Sequence, residues 1–178
     1  MSNLTRSERL DLGRHQVQPF VCGNEELDRW LKDHASHADS ANTARTFVWA
    51  TSTGEVVAYY SMAMHHLVKD DLPTKMGRGA PQVCPALIIG KLALHSRLHG
   101  RGLGSQLLVD ALARVVQASE QVAAKFVVVD AIDHDAAAFY RSRGFVDLPN
   151  HSRTLVLKVS TAAATIAAAL AQGQLDLT

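Results

Sequence analysis

Two rhythms of apolar and polar positions run along the chain, and they predict an alternation of strands and helices. Leu10-Asp11-Leu12 reads as a short extended piece, and Phe20-Val21-Cys22-Gly23-Asn24 as a turn. Leu27, Trp30, Leu31 and Ala35 then recur at helical spacing, which predicts a helix over Glu25–Ala38. Asn24 stands where a helix N-cap belongs, and Glu25 and Glu26 suit a first turn. The polar stretch Asp39–Ala44 separates this helix from Thr46–Thr51, a β-branched and aromatic run that predicts a strand. Ser52-Thr53-Gly54 marks a hairpin turn, and Glu55–Met64 is the return strand.

The pattern lapses over His65–Val83, where Pro73, Gly77, Gly79 and Pro81 predict a long loop with a short helical piece. Ala86–Leu94 is a nearly unbroken apolar run, as expected of a strand buried on both faces. Leu107, Leu108, Ala111, Leu112 and Val115 give a helix over Leu103–Ser119. Phe126–Ala131 is a second buried strand. Asp135–Arg143 reads as a helix, with Asp133 or Asp135 near its start and Gly144 after its end. Phe145–Leu148 and Arg153–Val159 form a closing strand pair, and Thr161–Ala171 is an Ala-rich helix. The order predicts an α/β (α+β) architecture, a mixed central sheet flanked by helices. We assign residues 1–160 to one domain and residues 161–178 to a C-terminal Ala-rich helix or tail.

Composition changes this picture little. The chain has 178 residues, 47% hydrophobic residues and a net charge of +1, as expected of one globular domain. The start lacks the apolar core of a secretion signal, and no segment reaches the roughly 18 apolar residues of a membrane helix. A cytoplasmic location and no membrane partner are the expectations. Cys22 and Cys84 lack ligand spacing and read as small buried hydrophobes in a reducing compartment. Neither they nor the histidines suggest a metal site. Charge is uneven: residues 1–90 carry 9 Lys and Arg against 10 Asp and Glu, whereas residues 91–158 carry 9 against 6. That is a mild basic bias toward a polyanionic partner.

The candidate chemistry lies in His99-Gly100-Arg101-Gly102-Leu103-Gly104, between the strand ending Leu92-Ala93-Leu94 and the next helix. Glycines let main-chain N–H groups converge on one space, and the helix N-terminus adds its dipole. A pyrophosphate cradle follows, to which Arg101 adds a charge-assisted contact. No Lys follows Gly102 or Gly104, so a P-loop is excluded. The loop sits mid-chain with no βαβ unit upstream, which argues against a Rossmann fingerprint.

The segment resembles the [Q/R]-x-x-G-x-[G/A] signature of the GNAT acetyltransferases, with His99 in the Gln/Arg position; that position contributes mainly its main-chain N–H. Ala136-Ala137-Ala138-Phe139-Tyr140 running to Gly144-Phe145 is similar to the second landmark of that family. Phe20, Cys22-Gly23, Leu27-Asp28 and Trp30-Leu31, with Arg45–Val48 and Tyr59-Tyr60-Ser61-Met62, resemble more narrowly the GNAT toxins of bacterial toxin–antitoxin pairs. Ala58 stands where most of that group has glycine. The likeness runs from about Leu12 to Val159.

The resemblance implies the GNAT acyl-CoA N-acyltransferase fold and acetyl-CoA as co-substrate. It implies that Leu92, Ala93 and Leu94 hold the pantetheine, with Leu92 N–H at the acetyl carbonyl, and that His99–Ser105 hold the pyrophosphate. Tyr140 is the implied acid for the leaving thiolate. The implied substrate is the α-amino group of aminoacyl-tRNA, and the implied partners are a ribbon–helix–helix antitoxin, DNA only through that antitoxin, and a second copy of the chain. Lys75, Arg78, Arg97 and Arg141 are candidate phosphate contacts, beside Lys69, Arg143 and Arg153. The strand Ala86–Leu94 has no Asp or Glu to serve as base. An α-amine (pKa ~7.7–8.0) needs a base less than a lysine (~10.4) does, which favours the former; a water chain or Asp130 remains an alternative base. Acetylation of a protein N-terminus or a small-molecule amine stays open, as does a non-catalytic acyl-CoA-binding module.

Overall fold

The computed structural model describes residues 7–172. Its seven strands are β1 (Glu8–Arg9), β2 (Arg45–Ala50), β3 (Val56–Val68), β4 (Val83–Leu94), β5 (Phe126–Asp130), β6 (Val146–Asp147) and β7 (Thr154–Lys158). They are ordered β1-β2-β3-β4-β5-β7-β6 in a mixed sheet. The pairs β1–β2, β2–β3, β5–β7 and β6–β7 are antiparallel, and β4–β5 is parallel. By internal contacts the chain divides into one unit of Met1–Ala63 with Lys91–Ala111 and another of Met64–Gly90 with Leu112–Thr178.

The first unit is built around α1 (Glu25–Arg29), a π-helical turn over Trp30–His34, and α2 (Ala35–Ser40). Asn24 caps α1 as expected, its Oδ1 accepting the Leu27 N–H at 3.1 Å. Asp28 reaches back to accept the Cys22 N–H at 2.8 Å, which fixes the entry of the chain. Leu27, Leu31 and Ala35 are buried with Phe20, Val48, Val56 and Tyr59. Phe20 and Leu31 are fully enclosed, and each contributes on the order of 2 kcal/mol of burial. The hairpin between β2 and β3 turns at Thr51–Glu55. Gly54 there has φ +86°, and a Cβ would stand 2.4 Å from the Arg14 carbonyl oxygen, so only glycine fits.

In the second unit, Phe126, Val127, Val128 and Val129 have no solvent exposure at all, as a central strand requires. The parallel pairing runs from Ala86↔Phe126 to Ile89↔Val129. Asp133 caps α5 (His134–Ser142), accepting the Ala136 N–H at 2.8 Å, and Gly144 ends it with φ +92°. β7 leads directly into α6 (Val159–Ala171), which starts two residues earlier than expected and buries Val159, Ala162 and Ile166. Residues 173–178 of the predicted tail lie outside the described residues.

The larger departures from expectation lie at the first strand, the end of β3 and the start of β4. The first strand is Glu8–Arg9 rather than Leu10–Leu12, because the Leu10 N–H bonds to the Thr46 carbonyl and the chain then turns at Asp11. β3 continues through His65 and His66 to Val68, and β4 begins at Val83. The predicted 65–83 loop is therefore a short connection holding a 3₁₀ turn (Lys69–Asp71) and α3 (Thr74–Gly77). Among the described residues, no helix is long and apolar enough to cross a membrane.

Candidate active site

In the first unit, β4 ends at Leu94 and passes through a 3₁₀ turn (Ser96–Leu98) into the glycine loop and α4 (Leu103–Gln121). The turn is anchored twice: His95 N–H donates to the Val57 carbonyl at 2.8 Å, and Ser96 N–H to Val21 at 2.9 Å. Gly100 and Gly102 have φ +72° and +73°, and nothing lies within 4 Å of where a Cβ would stand on Gly100, Gly102 or Gly104. No main-chain carbonyl among the described residues accepts the N–H groups of Gly100 through Gly104. These donors therefore face open space at the head of a 19-residue helix, where a phosphate fits.

His99 departs from its expected role. Its main-chain N–H already donates to the Ser96 carbonyl at 3.1 Å, so the free amides begin at Gly100. Its ring Nε2 bonds the Leu94 carbonyl at 2.7 Å and ties the loop to the end of β4. That is a positioning contact, made by the side chain in place of the expected amide. Arg101 is exposed beside it, and Ser105 lies in the first turn of α4. Arg97 is held by Glu55 at 2.8 Å.

The adjacent tyrosines of β3 are both fully buried, so neither opens onto an acceptor groove. Tyr59 donates to the Leu27 carbonyl at 2.7 Å and stacks on Trp30 with rings 8° apart. Burial raises its phenol well above the ordinary range. Tyr60 donates to Asp110 Oδ1 at 3.0 Å. Asp110, on α4, also accepts from Trp49 Nε1 at 2.7 Å and Ser7 Oγ at 2.6 Å. This hub was not legible in the sequence. Its only signal is a carboxylate beside the apolar stripe of α4.

In the second unit, Tyr140 is 6% exposed, between the edges of Phe139 and Phe145. Its hydroxyl has no protein hydrogen-bond partner among the described residues. Burial raises its phenol far above the ordinary value, and the Asp130 carboxylate raises it further. Phe139 is only half-buried, with the Arg143 guanidinium 5.5 Å from its ring centroid, whereas Phe145 and Leu148 are core. Arg141 is engaged by Asp147 through two contacts of 2.7 Å, which hold the Asp147 carboxyl below its usual range. Lys75 and Arg78, at α3, are exposed. The sequence also missed a cleft in this unit lined by His65, His66, Asp130 and His151. Among the described residues, no group of three or more His, Cys, Asp or Glu gathers as metal ligands. Cys22 and Cys84 are buried and unpaired; burial pushes the Cys22 thiol up to about 11.

Comparison with known proteins places these features in a family. The family described as Acetyltransferase (GNAT) domain matches residues 43–147. A tRNA-acetylating toxin of Mycobacterium tuberculosis (strain ATCC 25618 / H37Rv) is 33% identical over 150 residues, 84% of this chain and 90% of that protein. The solved structure of AtaT complexed with acetyl-methionyl-tRNAfMet superposes with a TM-score of 0.84 at 25% identity, over 92% of this chain and 99% of that one. A mutant AtaT toxin bound to the C-terminus of the antitoxin AtaR and acetyl-CoA gives a TM-score of 0.79 at 24% identity, over 92% and 98%.

Proposed function

The chain belongs to the GNAT acetyltransferase family, and from that premise we propose that it acetylates the α-amino group of aminoacyl-tRNA and thereby blocks translation as a toxin. The observation that carries the transferase reading is the run of main-chain donors from Gly100 to Gly104 at the head of α4. The choice of acceptor is supported by the tRNA-acetylating relative and by the tRNA-bound neighbour.

Acetyl-CoA, the co-substrate, supplies an activated acetyl thioester and a thiolate leaving group. Gly100–Gly104 and Arg101 bind its pyrophosphate, with Ser105 in the same helical turn. The main chain of Leu92, Ala93 and Leu94 pairs with the pantetheine amides as an added strand would. Leu92 N–H stabilises the developing oxyanion. His99 holds the loop in register. Tyr140 donates to the departing thiolate. Its phenol is raised far above a thiol's ~8.5, so it stays protonated and acts through the hydrogen bond rather than by full proton transfer. Lys75 and Arg78 contact tRNA phosphates; Arg97 and Arg141, ion-paired within the chain, contribute less. Residues 1–160 make up the transferase domain and 161–178 an appended helix and tail. The partners are a ribbon–helix–helix antitoxin, which links the toxin to DNA, and a second copy of this chain, all in the cytoplasm.

The test is transfer of labelled acetyl from acetyl-CoA to a pool of charged tRNAs. Label is expected on the aminoacyl group. Tyr140→Phe is expected to lower kcat on the order of 10²-fold with acetyl-CoA affinity kept. A wild-type protein that binds acetyl-CoA and labels no charged tRNA refutes the acceptor assignment.

A further inference from the structure

The cleft in the second unit is unused by the roles above. Its polar wall is His65 and His66 from the end of β3, Asp71 from the 3₁₀ turn, Asp130 from the end of β5, and His151 and Thr154 from the closing hairpin. Leu67 and Leu148, both buried, back it. Thr154 Oγ1 donates to Asp130 Oδ1 at 2.8 Å, which fixes that carboxylate and leaves Oδ2 without a partner among the described residues. His151 Nε2 stands 3.5 Å from Asp71. The rings of His65 and His66 stack with centroids 5.9 Å apart. Asp130 acts electrostatically on both Tyr140 and His65, so the cleft and the tyrosine share one carboxylate.

We propose that this cleft receives the aminoacyl end of the acceptor: Asp130 holds the α-ammonium, and His65 takes its proton before attack. The inference rests on the aminoacyl-tRNA reading above. It answers a chemical need, since an ammonium has no lone pair and β4 offers no carboxylate base. An ester lowers its neighbouring α-ammonium below the ordinary ~7.7–8.0, so a neutral imidazole near 6.5 receives its proton at small cost. Packing around His65, aided by His66 and opposed by Asp130, lowers its imidazole, which is therefore neutral with a free lone pair at pH 7. The groups facing it are His66, Asp71, Asp130 and His151. In the step itself the ammonium proton passes to a His65 ring nitrogen. The freed amine forms the N–C bond to the acetyl carbon, the C–S bond breaks, and the thiolate leaves hydrogen-bonded to Tyr140. The nitrogen's second proton ends on the thiolate, and His65 returns its own to water.

The test measures kcat/KM for charged tRNA from about pH 5.5 to 9 in the wild type, His65→Gln and Asp130→Asn, with acetyl-CoA affinity measured in each. The wild-type rate should fall on acidification with an apparent pKa below the ordinary histidine value. His65→Gln should lose up to roughly tenfold at pH 7, more at lower pH, and recover toward wild type at high pH, where the amine deprotonates unaided. Asp130→Asn should raise KM for charged tRNA more than it lowers kcat. Acetyl-CoA affinity should stay put in both variants. A His65→Gln profile that overlays the wild type, or a loss equal at every pH, overturns the proposal. A wild-type protein silent toward every charged tRNA brings down the substrate reading and this inference together, and that failure shows before any variant is compared.

Discussion

Asp110 shows how one side chain joins distant parts of the chain. Its carboxylate takes donors from the chain start, β2 and β3: Ser7 Oγ at 2.6 Å, Trp49 Nε1 at 2.7 Å and Tyr60 Oη at 3.0 Å. Removing it leaves the Trp49 donor buried without an acceptor, and a buried orphan costs about 1–3 kcal/mol. Tyr60 keeps its contact with Ser7 Oγ at 2.9 Å, so its loss is partial. Asp110→Ala should therefore destabilise by about 3 kcal/mol, or roughly 6–12 °C in Tm for a chain of this size, read by thermal denaturation. Asp110→Asn keeps one acceptor oxygen and should lose less. Equal Tm values for Asp110→Ala and wild type would rule the hub out as a source of stability. The glycine loop was legible because its chemistry is contiguous; Asp110 was not, because its partners lie 50, 61 and 103 residues away. Tyr140 stands out in the sequence only through a resemblance, and only the structure shows its enclosure by Phe139 and Phe145.

At the scale of elements, legibility followed burial. β4 and β5 could be read from apolar runs because both faces of each are largely covered. The caps of α1 and α5 could be read because Asn24 and Asp133 act on N–H groups three residues on. The tail of β3 could not: Met64, His65, His66 and Val68 are exposed, so nothing alternates there. β1 is two polar residues held through the main chain, which leaves no side-chain signature. The π turn at Trp30–His34 is likewise silent in sequence. The glycines separate fold from function in a testable way. Gly54 and Gly102 both have positive φ, but a Cβ at Gly54 strikes the Arg14 carbonyl, whereas one at Gly102 meets open space. Gly54→Ala should cost stability, about 2 kcal/mol or more from strain and clash, and leave acetyl-CoA affinity intact. Gly102→Ala should cost about 1–2 kcal/mol of stability at most, yet weaken acetyl-CoA roughly tenfold or more by placing a methyl in the cradle. Denaturation and calorimetric titration on both variants read the two effects. An unchanged acetyl-CoA affinity in Gly102→Ala would remove the loop from the binding site.

For the whole molecule, the question is how a chain of net charge +1 engages a polyanion. Much of its positive charge is already compensated internally. Arg97 is paired with Glu55, Arg141 with Asp147, Arg14 with Glu8, and Arg9 and Arg45 with Asp39. Exposed pairs of this kind add little stability, but they lower the charge offered to a phosphate. Lys75 and Arg78 have no acidic partner among the described residues, and they lie three residues apart at α3. They are the cations to expect at the tRNA backbone. Each phosphate contact adds roughly 0.7–0.9 to the slope of log affinity against log salt. The wild type should thus show a shallow dependence, a slope of about 2–3 rather than the steep response of a basic nucleic-acid binder. Lys75→Ala with Arg78→Ala should raise KM for charged tRNA and cut the slope by about two, with acetyl-CoA affinity unchanged. Arg97→Ala and Arg141→Ala should move the slope far less, because each arginine is already engaged by a carboxylate, Glu55 or Asp147, rather than offered to a phosphate. A double variant whose salt dependence matches the wild type would move the tRNA contact away from α3 and toward the cations this reading sets aside.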